Sequence, residues 1–382
     1  MKVLVTGANG FIGRNFCATL KANFNDDALT LYEYDKSCLP EDLSKFCSDC
    51  DIVFHFAGVN RPKTDQLFFD GNVGFTNLLL ETLKAAGNYC PIVFTSSIHV
   101  ETQPDSQYSI SKRNAEESLI EYANAHHSEL FIYRLPNVFG KWSRPNYNSA
   151  VATFCFNVAH NLDITVDDPE KTLKLVYIDD LVKEFFSILQ EPSRNGHDGY
   201  YFEISKQYEC SVGKLVLLIR NFKDRRSNLF EYGLAEDSFE KKLYSTYLSY
   251  TVPSLMYKLK SHKDHRGAFT ELLKTKESGQ FSINVIKPGM TKGQHWHNTK
   301  IEKFFVLAGD ALIRLRQVGQ ESEGLGETIE YRINGDDGVV IDIIPGYTHS
   351  ITNTSESTDL LVLIWSNELF DPQNPDTYYE IV

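Results

Sequence analysis

The sequence predicts a two-domain chain: an α/β doubly wound parallel sheet over residues 1–250, then an all-β barrel over residues 251–382. Three observations predict it. Strand-like and helix-like stretches alternate through residues 1–200, the pattern of a parallel sheet with helices on both faces. A glycine loop, Gly7-Ala-Asn-Gly10-Phe-Ile-Gly13, follows the opening apolar run directly. From residue 255 to 366, short runs and turn signals succeed one another closely, as in an antiparallel barrel or sandwich.

Taken in order, Val3–Thr6 is the first strand and Gly13–Ala22 the first helix. Leu29–Tyr34, Asp51–Ala57, Ile92–Ser96 and Leu130–Leu135 are further strands, each a short apolar run. Asn72–Ala86 and Tyr108–Ala125 place apolar residues at helical spacing between them. Ser211–Tyr250 reads as helical. In the second half, Lys287-Pro-Gly289, Ala308-Gly-Asp310 and Asn334-Gly-Asp336 mark turns between strands.

With 42% hydrophobic and 23% charged residues in 382, the chain can bury real cores, which excludes a disordered protein. Lys and Arg number 38 against 51 Asp and Glu, a net charge of −13. That balance argues against nucleic-acid binding and against an anionic membrane surface. Apolar runs stop at strand length, short of the ~20 residues of a membrane span. The opening strand leaves no room for a signal peptide, so the expected location is cytoplasmic. Among seven cysteines, Cys47-Ser-Asp-Cys50 is a single CxxC with no second pair, which reads as a solvated loop rather than a metal site.

Glycines at 7, 10 and 13 let the backbone turn tightly and approach a pyrophosphate at a helix N-terminus. Asp35 closes the second strand at the distance suited to a ribose hydroxyl, and Lys36 follows it. The acid favours NAD and the cation favours the extra phosphate of NADP. Tyr108 and Lys112 stand one helical turn apart on one face. A nearby ammonium lowers a phenol's pKa from about 10 and makes it a usable general acid for a carbonyl receiving hydride. Ser97, at the end of a strand, can hydrogen-bond the same carbonyl oxygen.

These residues together resemble the extended short-chain dehydrogenase/reductase family, a Rossmann-like fold, across the whole first half. Asn72-Val-Gly-Phe-Thr-Asn-Leu-Leu-Leu, Arg134-Leu-Pro-Asn-Val-Phe-Gly140 and Tyr177-Ile-Asp-Asp180 extend the resemblance. It implies catalytic roles for Ser97, Tyr108 and Lys112, and substrate contacts for Asn137 and Arg144. Cofactor contacts would come from Gly7, Gly10, Phe11, Ile12, Gly13, Asp35, Lys36, Ala57, Tyr108 and Lys112. Asp180 reads as a helix cap.

In the second half, His295 and His297 alternate along a strand and so share a face. With Glu302 and the later His349 they make four ligands suited to Zn, Fe, Mn or Ni. The spacing G-x5-H-x-H-x4-E-x6-G from Gly289 to Gly309 resembles the cupin family, and Gly346-Tyr-Thr-His349 fits its second motif. Imidazoles with one carboxylate point to one divalent metal, zinc. Asp264-His-Arg266-Gly resembles a segment of sugar-nucleotide 3,5-epimerases, which implies substrate contacts for Asp264 and Arg266. Lys292-Gly-Gln-His295 lines up with the segment that holds their base histidine, while Leu369 and Phe370 stand where their acid tyrosine would fall.

The order of the two halves resembles the bifunctional capsular-polysaccharide enzymes of the CapF type. Asn137-Val-Phe-Gly-Lys-Trp, Arg144-Pro-Asn-Tyr-Asn-Ser, Leu243-Tyr-Ser-Thr-Tyr-Leu-Ser-Tyr and Asn374-Pro-Asp-Thr-Tyr carry that resemblance. It implies a homodimer acting on a UDP-linked 4-keto-6-deoxy-N-acetylhexosamine. C3 epimerisation by the cupin would precede C4 reduction with NADPH. Two other readings of the residues stand beside it: an NADP-sensing regulator, and a reductase fused to a metal-dependent cupin dioxygenase.

Overall fold

The computed structural model describes residues 1–25, 27–190, 199–231, 234–252, 255–319 and 327–382. Contacts divide the chain into one unit of Met1–Arg220 with Glu236–Val252, and another of Asn221–Ala235 with Pro253–Val382. The sequence predicts a single boundary at residue 250, so residues 221–235 are a departure. Backbone bonds explain it: Glu231 N donates to Lys274 O, and Lys274 N to Leu229 O, both at 2.9 Å. The Ser211–Tyr250 stretch holds two helices, Val212–Ser227 and Phe239–Leu248.

In the first unit, β1 (Lys2–Thr6), β2 (Thr30–Tyr34), β3 (Ile52–His55), β4 (Ile92–Ser97) and β5 (Leu130–Leu135) build the sheet. After β6 (Asn137–Phe139) and β7 (Thr172–Tyr177), β8 (Tyr201–Phe202) completes it in the order β2-β1-β3-β4-β5-β8. All five pairings are parallel. Side chains alternate across each strand, so both faces are apolar. Val3, Val5, Phe54, Val93, Phe131 and Tyr133 pack on one face with Phe16 and Phe185. Leu4, Val53, Ile92, Phe94 and Ile132 pack on the other with Leu79, Leu83, Ala115 and Leu119. Helices Phe11–Asn23 and Ile178–Gln190 therefore cover the first face, and Phe75–Ala85 and Gln107–His126 the second. A small sheet of β6, β7 and β9 (Tyr208–Ser211) stands beside it.

The strand order reverses direction between β1 and β3, and in such sheets ligands bind at that point, beyond the carboxyl ends of the strands. The glycine loop sits there because nothing larger fits. Gly7 has φ +69°, and a Cβ on it would stand 2.7 Å from Ala57 N. A Cβ on Gly13 would overlap the Gly7 carbonyl oxygen.

Three local expectations are corrected by burial. Cys47 and Cys50 lie in the core with Leu4, Leu43 and Leu83, not in a solvated loop, and Cys50 Sγ is 3.7 Å from Cys90 Sγ. Helix Pro40–Cys47 turns Leu43 and Cys47 inward, which carries the motif under the sheet. Asp180 does not cap its helix; it accepts from Lys242 Nζ at 2.8 and 2.9 Å and from the Tyr208 hydroxyl at 3.3 Å. The helix expected from Asn72 starts instead as a wide π turn, Phe69–Gly74, before Phe75–Ala85. There the buried Asn72 side chain bonds Val59 N, Val59 O and Ser111 Oγ.

The second unit is antiparallel β. Its strands are β10 (Ser261–Asp264), β11 (Gly267–Thr275), β12 (Gly279–Ile286), β13 (Thr291–Trp296), β14 (Glu302–Ala308) and β15 (Asp310–Gln317). β16 (Ile329–Asn334), β17 (Val340–Ile343), β18 (Tyr347–Asn353), β19 (Leu360–Ser366) and β20 (Tyr378–Tyr379) follow. One sheet runs β10-β11-β12-β19-β14-β17 and the other β16-β15-β18-β13-β20. Their inner faces share a core of Ile286, Phe304, Val306, Ile313, Leu315, Ile351, Val362 and Ile364. The three expected turns fall between strands. Among the described residues, no helix is long and apolar enough to cross a membrane.

Gly13→Ala is expected to destabilise the first unit by about 1–3 kcal/mol, the usual range for overpacking. Urea unfolding followed in that unit checks it; an unchanged midpoint would show that the loop can relax around a methyl group.

Candidate functional site

A cavity of about 640 Å³ opens at the carboxyl ends of β1, β3, β4 and β5. Gly7, Gly10, Phe11, Ile12 and Gly13 line it on one side, and Ser97, Tyr108, Lys112, Asn137 and Arg144 on another. Asp35, Lys36 and Ala57 do not line it. Asp35 follows β2 directly, and its Oδ1 accepts from Ser37 N and Ser37 Oγ, both at 2.7 Å. Those two bonds hold its pKa below the ordinary carboxylate value. Ala57 instead packs against Gly7 from the end of β3.

Local structure aims the three candidate catalytic groups. Ser106 caps helix Gln107–His126, its Oγ accepting from Ser109 N at 3.2 Å, so Tyr108 falls in the first turn. Lys112, one turn on, is buried; its Nζ donates to Thr95 O at 2.8 Å and lies 4.3 Å from the Phe94 ring centre. Ser97 is the last residue of β4, and its Oγ accepts from His99 N at 3.2 Å.

The electrostatics differ from the expectation for Tyr108. Burial raises its hydroxyl pKa, a hydrogen bond with Ser97 only partly offsets this, and the net shift is upward. Lys112 does not lower it, because burial pushes the amine itself down to about 8 and its Nζ is held at Thr95. At neutral pH the phenol is therefore a protonated donor.

A second cavity, about 410 Å³, lies in the β unit and is lined by Asp264, Arg266, Asn284, Lys292, His295, Glu302 and His349 among others. Three strands assemble the histidine cluster. A bulge at Gln294, with φ +62°, shifts the register so that His295 pairs with His349 across β13 and β18. Glu302 opens β14. His297 Nε2 and His349 Nε2 lie 3.5 and 3.6 Å from Glu302 Oε2. Ligand atoms of all four residues fall within 4.8 Å of one another. Burial lowers His295 and takes His349 down to about 3, so both are neutral imidazoles with lone pairs to give. Burial pushes Glu302 up, but His297 and the other two histidines more than offset it and keep the carboxyl ionised.

The residues fit a metal ion. His297 Nε2 and His349 Nε2 are buried without hydrogen-bond partners, and both face the Glu302 carboxylate. Ligand atoms about 2.1 Å from a tetrahedral zinc stand about 3.4 Å apart, close to the two separations from Glu302 Oε2.

Arg266 and Asp264 pair through Nη2 and Oδ2 at 2.7 Å on the cavity wall. Lys292 on the same wall donates to Asn284 Oδ1 at 2.7 Å. The sequence reading assigns no role to Lys292, or to His99 and Tyr147 in the first cavity. Lys292 and Tyr147 carry no local signal, whereas His99 could have been suspected from its place two residues after Ser97.

Residues 3–203 match the profile of the NAD dependent epimerase/dehydratase family, and residues 262–378 that of the Polysaccharide biosynthesis C-terminal domain. One relative is the UDP-2-acetamido-2,6-beta-L-arabino-hexul-4-ose reductase of Pseudomonas aeruginosa. It is 40% identical over 379 residues, 99% of this chain and 98% of that protein. Spore coat polysaccharide biosynthesis protein SpsL of Bacillus subtilis is 30% identical over 124 residues, 31% of this chain and 82% of its own. Among solved structures, capsular polysaccharide assembling protein CapF from Staphylococcus aureus has a TM-score of 0.88 and 39% identity over 100% of both chains. The UDP-glucuronic acid 4-epimerase of Bacillus cereus, solved with NAD, shares the fold over 65% of this chain and 96% of its own, at 20% identity and TM-score 0.56.

Lys112 leads to a stability test. Its folded pKa of about 8 lies below the ordinary 10.5, so burying the cation opposes folding fully below pH 8. That opposition fades as pH rises from 8 toward 10.5, where the unfolded chain also loses the proton. Lys112→Met is expected to stabilise the first unit at pH 7 by about 1–3 kcal/mol, after about 1 kcal/mol is lost at Thr95 O. Urea unfolding at pH 7 and pH 10 should show the gain shrinking at the higher pH. A variant less stable than the wild type at pH 7 would rule the buried-cation account out.

Proposed function

The chain belongs to the NAD dependent epimerase/dehydratase family, and we propose that it is a bifunctional UDP-sugar enzyme of N-acetyl-L-fucosamine biosynthesis for capsule or O-antigen. The observation that carries this reading is the 40% identity, over nearly all of both chains, to a reductase whose name specifies a UDP-linked hexul-4-ose. The β unit would epimerise C3 of UDP-2-acetamido-2,6-dideoxy-hexos-4-ulose. The α/β unit would then reduce the C4 ketone, giving UDP-2-acetamido-2,6-dideoxy-L-talose.

The chemistry of the two steps is linked. A C4 ketone acidifies the C3 hydrogen, so a base can remove it and leave an enolate, which takes a proton on its other face. Arg266 and Lys292 put positive charge on the cavity wall, where it would stabilise the enolate oxygen. His295, His297, Glu302 and His349 would hold one divalent ion, zinc by donor type, whose charge acts in the same sense or keeps the barrel in shape.

In the first cavity, NADPH supplies hydride to C4 when bound. Tyr108, protonated at neutral pH, gives its proton to the carbonyl oxygen as the alcohol forms. Ser97 would hydrogen-bond that oxygen, and Lys112, held at Thr95 O on the wall of the same cavity, would contact the cofactor. The glycine loop opens helix Phe11–Asn23, whose first amides suit a pyrophosphate. NADPH would be preferred over NADH through the exposed Lys36, which favours the extra phosphate, against the repulsion of the ionised Asp35.

Incubation with the UDP-4-keto sugar in deuterated water, with and without NADPH, reads both steps by NMR. Tyr108→Phe is expected to slow ketone reduction by about 10²–10⁴-fold and leave deuterium entry at C3 unchanged. Full reduction by the variant would mean that another group supplies the proton. The same assay run with NADH reads the cofactor choice.

Elemental analysis of purified protein is expected to find one divalent metal per chain, and His349→Ala to lose most of it. A metal-free wild type with full C3 exchange would return the histidines to acid–base or structural roles.

A further inference from the structure

We infer that the C-terminal strap, residues 371–382, sets the metal affinity of the β unit, with Asp376 as the positioning residue that fixes the His297 imidazole. The inference rests on the metal reading proposed above.

His297 Nδ1 lies 2.5 Å from the carbonyl oxygen of Asp376, 79 residues away in the chain. A carbonyl only accepts, so Nδ1 carries the proton and Nε2 keeps its lone pair. That Nε2 is the buried, unpartnered atom that faces Glu302. A ligating histidine held this way has its tautomer and ring plane set before any ion arrives.

The carbonyl is itself clamped. The Asp376 carboxylate accepts from the backbone N–H groups of Asn298, Thr299 and Lys300, each at 2.9 Å, and from Thr299 Oγ1 at 3.2 Å. Asp376 sits at φ +38°, in the sparsely populated positive-φ half of the map, and these four donors keep it there. The clamp therefore joins the strap to the loop between His297 and Glu302.

Further ties reach the other histidines. Tyr378 and Tyr379 pair with Trp296 and His295 as β20, and the Tyr378 and Trp296 rings stack at 4.8 Å. Thr348, next to His349, donates from Oγ1 to Glu380 O at 2.5 Å. Arg316 Nη2 donates to Glu380 Oε1 at 2.9 Å, and Val382 N to Gln294 Oε1 at 2.8 Å. Each imidazole of the cluster thus has a strap contact on itself or on its neighbour.

The test uses the full chain and measures zinc affinity by chelator competition, the absorption spectrum of the cobalt(II) form, and melting with and without zinc. Asp376→Ala is expected to weaken zinc binding about 10–100-fold and to change the cobalt spectrum. The rise in melting temperature on adding zinc should shrink too, because that rise follows RT ln(1 + [L]/Kd). Asp376→Asn keeps one oxygen for the backbone donors and should fall between the alanine variant and wild type; it carries the test if the alanine variant does not fold. Wild-type zinc affinity in Asp376→Ala, even with a lower metal-free melting point, would reduce the strap to a structural element and overturn the inference. A wild type that binds no zinc would instead overturn the metal reading beneath it.

Discussion

A buried polar group left without a partner costs about 1–3 kcal/mol, and that cost organises both units. In the α/β unit two buried ionisable side chains find their partners internally. His55 lies between Thr6 Oγ1 at 2.7 Å and Thr76 Oγ1 at 2.9 Å, and burial takes its pKa to about 3, so it stays a neutral bridge. Glu116, buried under the sheet, is answered by Arg134, Ser96 and Tyr201. These pairings fix β3, β4 and the helix that carries Tyr108. In the β unit His297 Nε2 and His349 Nε2 are among the buried atoms left open, and these two face one carboxylate.

The two candidate centres ask different things of their surroundings. In the proposed reduction Lys112 is a cation and Tyr108 keeps its proton until a carbonyl needs it. Burial achieves the second and works against the first. In the proposed metal cluster burial keeps His295 and His349 neutral but opposes the charge on Glu302, which the neighbouring histidines restore. On the proposed reaction sequence the order of steps follows from the ketone. While it stands, C3 can exchange its hydrogen; once it is reduced, the acidity is gone and the new configuration is locked.

Much of this is legible in the sequence. The glycine loop, the Tyr108–Lys112 spacing and the alternation of strands and helices are local patterns, and each lies where its pattern implies. So does the histidine spacing from Gly289 to Gly309. The departures share one cause, which is that burial is not a local property. Cys47 and Cys50 look like loop residues until Leu43 turns them under the sheet. Asp180 looks like a cap until Lys242, 62 residues on, takes its carboxylate. The lysine's expected influence on Tyr108 gives way because both groups lose water together.

By itself the sequence determined the fold class, the position of the glycine loop and the identity of the candidate catalytic and ligand side chains. These depend on periodicity and spacing within a few turns of chain, which any reader of residues can count. The tertiary structure alone decided which of those side chains share a cavity, which carry a charge there, and how the cluster is held. Asp376 shows why: its bond to His297 spans 79 residues, and its register depends on a bulge at Gln294 and on β20 pairing with β13. Contacts at that separation come from the closing of sheets on a common core, and no pattern in the sequence between the two residues marks them.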